Sequence, residues 1–156
     1  MSRYLLPVLT LAVLLLPVLC LAAYDGTAML TGTTDLDSYG TAIIHIDNSN
    51  LMTLTLEIFN LDPNTCHASH IHSGTCQMQG GVYIGLLDIC VDGTGHGTQT
   101  TVVMLTPAQV ASIMNDPHYV NVHHQTTGAG TTCGNIVSLP TATLPSSWGQ
   151  VKALYH

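Results

Sequence analysis

The chain has 156 residues and a formal net charge of −7, with Arg3 and Lys152 as its only Lys or Arg residues. Nucleic acids and anionic membrane surfaces are bound by clusters of Lys and Arg, so neither is expected as a partner. Hydrophobic residues make up 46% of the chain, too large a share for a disordered protein, and the length suits one ordinary domain.

The N-terminal segment has the layout of a secretory signal peptide. One arginine provides a positive start, Leu5 to Leu21 form an apolar run, and two alanines precede polar sequence. We expect a signal peptide over residues 1–23, cleaved near Ala22 or Ala23, which leaves residues 24–156 as one secreted domain without a membrane segment. The alternative is a retained membrane anchor, since the apolar run is nearly long enough to span a bilayer.

Short alternating or β-branched runs recur between turn signals along the rest of the chain. This pattern predicts an all-β fold, a Greek-key β-sandwich or barrel. The Gly-rich stretch from Thr126 to Thr132 is predicted to be a loop, and a Pro-, Ser- and Thr-rich extension begins at about Pro140. The predicted strands are Thr27–Thr33, Gly40–Asp47, Leu51–Asn60, Ala68–Ser73, Val82–Val91, Gly97–Leu105, Tyr119–His124, Cys133–Leu139 and Gln150–Tyr155.

One segment departs from the β pattern. Thr106–Gln109 has the sequence of a capping box, with proline at the first helical position. Val110, Ile113 and Met114 then share one helical face, and Pro117 prevents continuation. The sequence therefore predicts one short crossover helix.

Four cysteines remain after the signal peptide: Cys66, Cys76, Cys90 and Cys133. An even number in an exported domain predicts two disulfides, for which three pairings are possible. None of the four lies in a CxxC motif, so no zinc site with thiolate ligands is expected.

Histidine is the residue type that indicates a function. In the strand-like segment His70-Ile71-His72 both imidazoles point to one face and Ile71 points to the other. His123, from a separate predicted strand, would complete a set of three ligands with an open coordination position. His67 is the first candidate for a fourth ligand if a bulge after Cys66 turns it toward the site. The alternative is a group of ordinary surface histidines, since short motifs have many false positives.

Imidazole ligands indicate the metal. Neutral imidazoles suit both copper and zinc, and copper is favoured by the general order of affinities. We therefore expect one copper ion, with zinc as the alternative, and a small oxygen species as a possible ligand of the open position. No nucleophile motif is present and no catalytic residue is assigned.

Two segments resemble the chordin-type CHRD domain. His70-Ile71-His72-Ser73-Gly74 and Tyr119-Val120-Asn121-Val122-His123 are similar to the H-I-H-x-G and Y-V-N-V-H segments of that family. The predicted helix falls where the family has its L-T segment, and the resemblance covers roughly Tyr24 to Pro140. It implies an extracellular β-sandwich domain, which in larger proteins is regarded as structural or adhesive.

The same segments also resemble the copper-zinc superoxide dismutases. The resemblance implies a dismutase-like fold, copper ligands at His70, His72 and His123, and the disulfides Cys76–Cys133 and Cys66–Cys90. The chain departs from that family between His72 and His96, where it has no bridging histidine and no zinc loop. A guiding arginine would fall near Gly130, where the chain has no basic residue. Copper binding or storage, or slow redox chemistry, is therefore preferred, and the alternatives are a copper-only superoxide dismutase and a structural domain.

Overall fold

A computed structural model describes residues 23–124 and 130–140. The predicted signal peptide, apart from Ala23, lies outside these residues. The predicted strand Gln150–Tyr155 and the extension beyond Pro140 lie outside them as well. No helix within the described part of the chain is long and apolar enough to cross a membrane.

The described residues form eleven β-strands and one α-helix, which confirms the all-β prediction with one short helix. The strands are β1 (Tyr24–Gly32), β2 (Tyr39–Ile46), β3 (Leu51–Phe59), β4 (Cys66–His67), β5 (Ser69–Gly74), β6 (Gln79–Gly85), β7 (Ile89–Cys90), β8 (Gly97–Met104), β9 (His118–His123), β10 (Gly130–Asn135) and β11 (Val137–Ser138), and α1 (Pro107–Asn115) connects β8 to β9.

Nearly all strands belong to one curled sheet with the order β6-β5-β9-β10-β1-β2-β3-β8, and β11 pairs with β1. The short strands β4 and β7 form a separate pair. Helix α1 carries the chain from β8, at one edge of the sheet, back to β9 in its interior. This crossover makes β9 the direct neighbour of β5, which lies far from it in the sequence.

The core lies on one face of this sheet because apolar and polar residues alternate along the strands. Strand β3 shows the pattern most clearly, since Met52, Leu54, Leu56 and Ile58 are fully buried while their neighbours are only half-buried. On β5 the same alternation buries Ile71 completely, and it turns the flanking residues of that strand to the other face.

Helix α1 begins as its sequence predicts. The Thr106 side chain accepts a hydrogen bond from the Gln109 backbone N–H, and the Gln109 side chain accepts one from the Thr106 backbone N–H. Val110 and Ile113 are buried against the core, which fixes the crossover to the sheet.

Some predicted boundaries of strands and loops differ from those in the structure. The segment Val82–Val91, predicted as one strand, is divided between β6 and β7, because the intervening backbone bonds to other elements. The Leu87 N–H donates to the Thr101 hydroxyl (2.9 Å), and the Leu87 carbonyl oxygen accepts from the Ser69 hydroxyl (2.8 Å). The predicted Gly-rich loop is also too long, because β10 begins at Gly130 and pairs there with β9.

The structure contains two disulfides, Cys66–Cys90 and Cys76–Cys133, which are the pairs that the dismutase resemblance implies. The first joins directly opposite residues of β4 and β7, with Cα atoms 4.0 Å apart. The second joins the turn after β5 to β10, with Cα atoms 6.0 Å apart. The second disulfide therefore links the turn that follows β5 to β10, the strand that pairs with β9.

Candidate metal centre

The H-x-H segment and the N-V-H segment lie side by side on neighbouring strands. In the antiparallel register His70 is opposite Asn121 and His72 is opposite Tyr119. His123 lies two residues beyond Asn121 on β9, so it belongs to the same face. Two segments that are about fifty residues apart in the sequence therefore present their imidazoles to one place.

The three rings converge. One ring nitrogen of each of His70, His72 and His123 lies within 4.8 Å of the others. The Nε2 atoms of His72 and His123 are 3.3 Å apart, and the ring centroids of His70 and His123 are 5.0 Å apart. Two ligands held at 2.0–2.1 Å from one tetrahedral ion would be about 3.4 Å apart. The observed separation of the two Nε2 atoms matches this value.

His72 is oriented by a hydrogen bond that decides which nitrogen carries its proton. Its Nδ1 donates to the Gly80 carbonyl oxygen (3.1 Å), which can only accept. In the neutral ring Nε2 therefore presents a lone pair toward the cluster. The ring also stacks on Tyr119, with centroids 5.1 Å apart. His72 is 7% exposed, so this orientation is fixed by its surroundings.

His70 has a buried nitrogen available for a ligand. Its Nδ1 is buried and has no hydrogen-bond partner within residues 23–124 and 130–140. Burial lowers the pKa of His70, and the positive charges that His123 and His72 can carry lower it further, while Asp88 acts in the opposite direction. The ring therefore favours the neutral form, which is the form that binds metals.

His67 does not join the cluster, in contrast to its suggested role as a fourth ligand. The ring is 1% exposed and is not one of the three rings that converge. Its Nδ1 donates to the His123 carbonyl oxygen (2.9 Å), and its Nε2 is hydrogen-bonded to the Thr65 hydroxyl (2.7 Å). Both ring nitrogens are thus used, and the role of His67 in the structure is to hold the backbone of a cluster residue.

Three other histidines have different surroundings. His45 and His96 each pair with a carboxylate, at 2.7 Å from Asp25 and 3.0 Å from Glu57. His118 is buried, and its ring lies against that of Tyr83. Local sequence patterns do not predict these contacts, because each contact joins residues from different strands or turns. None of the three belongs to the histidine cluster.

The hydrogen bond from His72 to Gly80 is the feature of the site that the sequence does not reveal. Strand β6 pairs with β5, and register shifts next to His72 bring the Gly80 carbonyl oxygen to its ring. The only sequence signal is the adjacent pair Gly80-Gly81. At Gly80 a Cβ atom would meet the Ser73 carbonyl oxygen, so only glycine allows β6 to lie this close.

Comparison with known families identifies a match over most of the chain. The family model described as CHRD domain matches residues 22–136. The chain belongs to the CHRD domain family. Both histidine segments of this CHRD domain, its helix and its two disulfides lie inside the matched region. No curated protein shows significant similarity to the chain, and the dismutase resemblance stays an interpretation of the motifs alone.

Proposed function

We propose that this CHRD domain is a secreted protein that binds one copper ion through His70, His72 and His123. Its role would be to carry or store copper, or to perform slow redox chemistry at an open coordination position. The observation that carries the proposal is the convergence of three imidazoles, with one ring nitrogen of each within 4.8 Å of the others. A shared proton can join the Nε2 atoms of His72 and His123 at 3.3 Å, and a bound cation would take the place of that proton.

The donor set supports copper over other metals. Three imidazoles suit copper and zinc, and copper binds more tightly to such ligands. The four cysteines of the described region are in disulfides, so softer thiolate ligands do not compete. Copper bound here would supply a one-electron redox couple and a Lewis acid.

The protein's own residues hold the ligands in place. The Gly80 carbonyl oxygen keeps the proton of His72 on Nδ1, and Tyr119 fixes the plane of that ring. His67 supports the backbone at His123. Partners of this kind orient metal ligands, and losing one typically weakens binding 10- to 100-fold. The site is therefore preorganised for a metal and does not need to be assembled by it.

Efficient superoxide dismutation is not part of the proposal. Fast reaction with an anion requires a positive potential that guides it to the site. The chain carries a formal net charge of −7, and its only Lys and Arg residues are Arg3 and Lys152, neither of which is in the described region. Superoxide consumption by the copper-loaded protein that is no faster than that of free copper would agree with this view.

The decisive experiment measures metal content. The disulfide-intact mature protein is loaded with copper or zinc, desalted and analysed, and the copper form is examined by electron paramagnetic resonance. We expect one equivalent of copper, with hyperfine structure from several nitrogens. If no metal remains after desalting, the copper function is wrong and a structural extracellular domain is the better description.

Secretion has a test of its own. Disulfides form and persist in oxidising compartments, and two of them support export of this domain. If residues 1–23 are a signal peptide, the protein recovered from the culture medium of a eukaryotic host will begin at about Tyr24. Protein that stays in the membrane fraction with an intact N-terminus would instead indicate an anchor.

A further inference from the structure

We propose that the side-chain amide oxygen of Asn121 is the fourth ligand of this metal centre. This inference rests on the proposed function, because it assigns a further ligand to the same ion. It replaces His67, whose two ring nitrogens are both hydrogen-bonded elsewhere.

Asn121 lies in the right place. It is on β9 two residues before His123, it is opposite His70 in the register, and it is 3% exposed. Its Nδ2 is 3.5 Å from the Nε2 of His123. Its Oδ1 is buried and finds no hydrogen-bond partner among the residues that the structure describes. A buried, unsatisfied carbonyl oxygen beside a cluster of imidazoles is what a cation would satisfy.

Gly130 provides the space for this amide. It is opposite His123 in the pairing of β9 with β10, and a bulge between Gly130 and Thr132 distorts the strand there. A Cβ atom at Gly130 would lie 2.8 Å from Oδ1 and 2.9 Å from Nδ2 of Asn121. The amide therefore fits against bare backbone, and any larger residue at this position would displace it.

A metal on His123 would reverse the amide. In the metal-free arrangement the Asn121 N–H₂ lies 3.5 Å from His123 Nε2. Once His123 Nε2 binds a cation, the N–H₂ end of the amide is repelled by the cation and the carbonyl oxygen is attracted to it. The two ends of an amide have nearly the same shape, so a half-turn brings Oδ1 to about the position of Nδ2. That position is 3.5 Å from His123 Nε2, close to the roughly 3.4 Å expected between two ligands of one tetrahedral ion.

An amide oxygen also defines the chemical preference of the site. It is a hard, neutral and weak ligand, whereas a thioether in its place would favour copper(I). Compared with a set that contains a thioether, three imidazoles and one amide oxygen therefore stabilise copper(II) relative to copper(I), and removal of the oxygen should raise the reduction potential. In the CHRD motif Y-V-N-V-H this gives the asparagine a role that is separate from the role of the histidine.

The test compares Asn121→Leu, Asn121→Asp and the control Asn115→Leu, which changes an exposed asparagine at the end of α1. Each protein is loaded with copper(II), its affinity is measured by chelator competition, and its paramagnetic resonance spectrum is recorded. N121L should still bind one copper with imidazole nitrogen hyperfine structure, but with altered g and hyperfine values and affinity lowered at least tenfold. N121D should restore tight binding, and N115L should match the wild type.

The outcomes separate the two proposals. An N121L protein with the wild-type spectrum and an affinity within twofold of the wild type overturns the Asn121 ligand and leaves the copper function standing. A wild-type protein that retains no copper overturns both. If N121L does not fold, Gly130→Ala provides the second variant, since it displaces the amide while keeping Asn121. G130A should then show the same spectral change, and a wild-type spectrum for G130A would overturn the assignment.

Discussion

Replacing the His123 ring by a methyl group (H123A) removes one of the three nitrogen donors but leaves the backbone contacts of β9 unchanged. The His123 N–H donates to the Ala68 carbonyl oxygen (2.9 Å), and the His123 carbonyl oxygen accepts from His67 (2.9 Å). Neither contact uses the side chain. Because the ring is only half-buried and does not belong to the core, the variant should fold in the absence of metal.

The expected effect follows from linkage between binding and unfolding. Copper at 100 times its dissociation constant stabilises the folded protein by about 2.7 kcal/mol. For a domain of this size that corresponds to an increase of roughly 10 °C in the melting temperature. If the loss of one imidazole weakens binding 100-fold, the same copper concentration stabilises the variant by only about 0.4 kcal/mol. The increase should then be roughly 1–2 °C.

The assay is differential scanning calorimetry of both proteins with and without copper, in buffer that contains no reductant. His45→Ala is the matched control, since His45 is an exposed strand histidine that pairs with Asp25 and lies outside the cluster. H45A should show the full increase. Equal increases for H123A and the wild type would refute the assignment of His123, and equal loss in H45A would show that copper binds at other histidines.

Three further predictions concern the support of the site. Gly80→Ala should weaken copper binding 10- to 100-fold, because its Cβ would meet the Ser73 carbonyl oxygen and move the carbonyl that holds His72. The control Gly85→Ala, where a Cβ has nothing within 4 Å, should bind copper normally in isothermal titration. Equal copper affinities for the two variants would contradict this role of Gly80. Burial lowers the pKa of His70 below its ordinary 6.5, so the unfolded chain takes up a proton that the folded chain resists. The free energy of unfolding of the metal-free protein should therefore fall as the pH is lowered below about 6.5. Thermal melts of His70→Gln should show a smaller loss over the same pH range. Removing the Cys76–Cys133 disulfide, with a sequence separation of 57, should lower the free energy of unfolding in urea by about 4 kcal/mol. Removing Cys66–Cys90, with a separation of 24, should lower it by about 3.5 kcal/mol. Unchanged urea midpoints would show that the unfolded chain gains little freedom when a disulfide is removed.

The sequence predicts those parts of the fold that depend on local patterns. Alternation along His70-Ile71-His72 indicates which side chains leave the core, and in the structure Ile71 is fully buried. The capping box at Thr106 marks the start of the helix because its hydrogen bonds connect residues only three positions apart. In both cases the deciding contacts lie within one element, so a single sequence contains the information.

Contacts between distant elements explain what the sequence does not predict. The division of Val82–Val91 into two strands depends on a hydrogen bond from the Leu87 N–H to Thr101 and one from Ser69 to the Leu87 carbonyl oxygen. The orientation of His67 depends on the carbonyl oxygen of His123, which lies 56 residues further along the chain. Parity along a strand cannot distinguish a ring that points to the histidine cluster from one that supports the neighbouring backbone. The contact between β4 and β9 decides this, and it is not encoded in either strand alone.

The contrast among the histidines argues that the cluster is a binding site rather than a set of surface residues. His45 and His96 have carboxylate partners, as exposed histidines commonly do. His70, His72 and His123 instead face one another, and the Nε2 atoms of His72 and His123 lie within hydrogen-bond distance, 3.3 Å apart. The strands that carry them are held in place, because Ile71, Val120 and Val122 on their opposite faces are completely buried. The core therefore holds three ring nitrogens within 4.8 Å of one another, and a metal ion could bind between them.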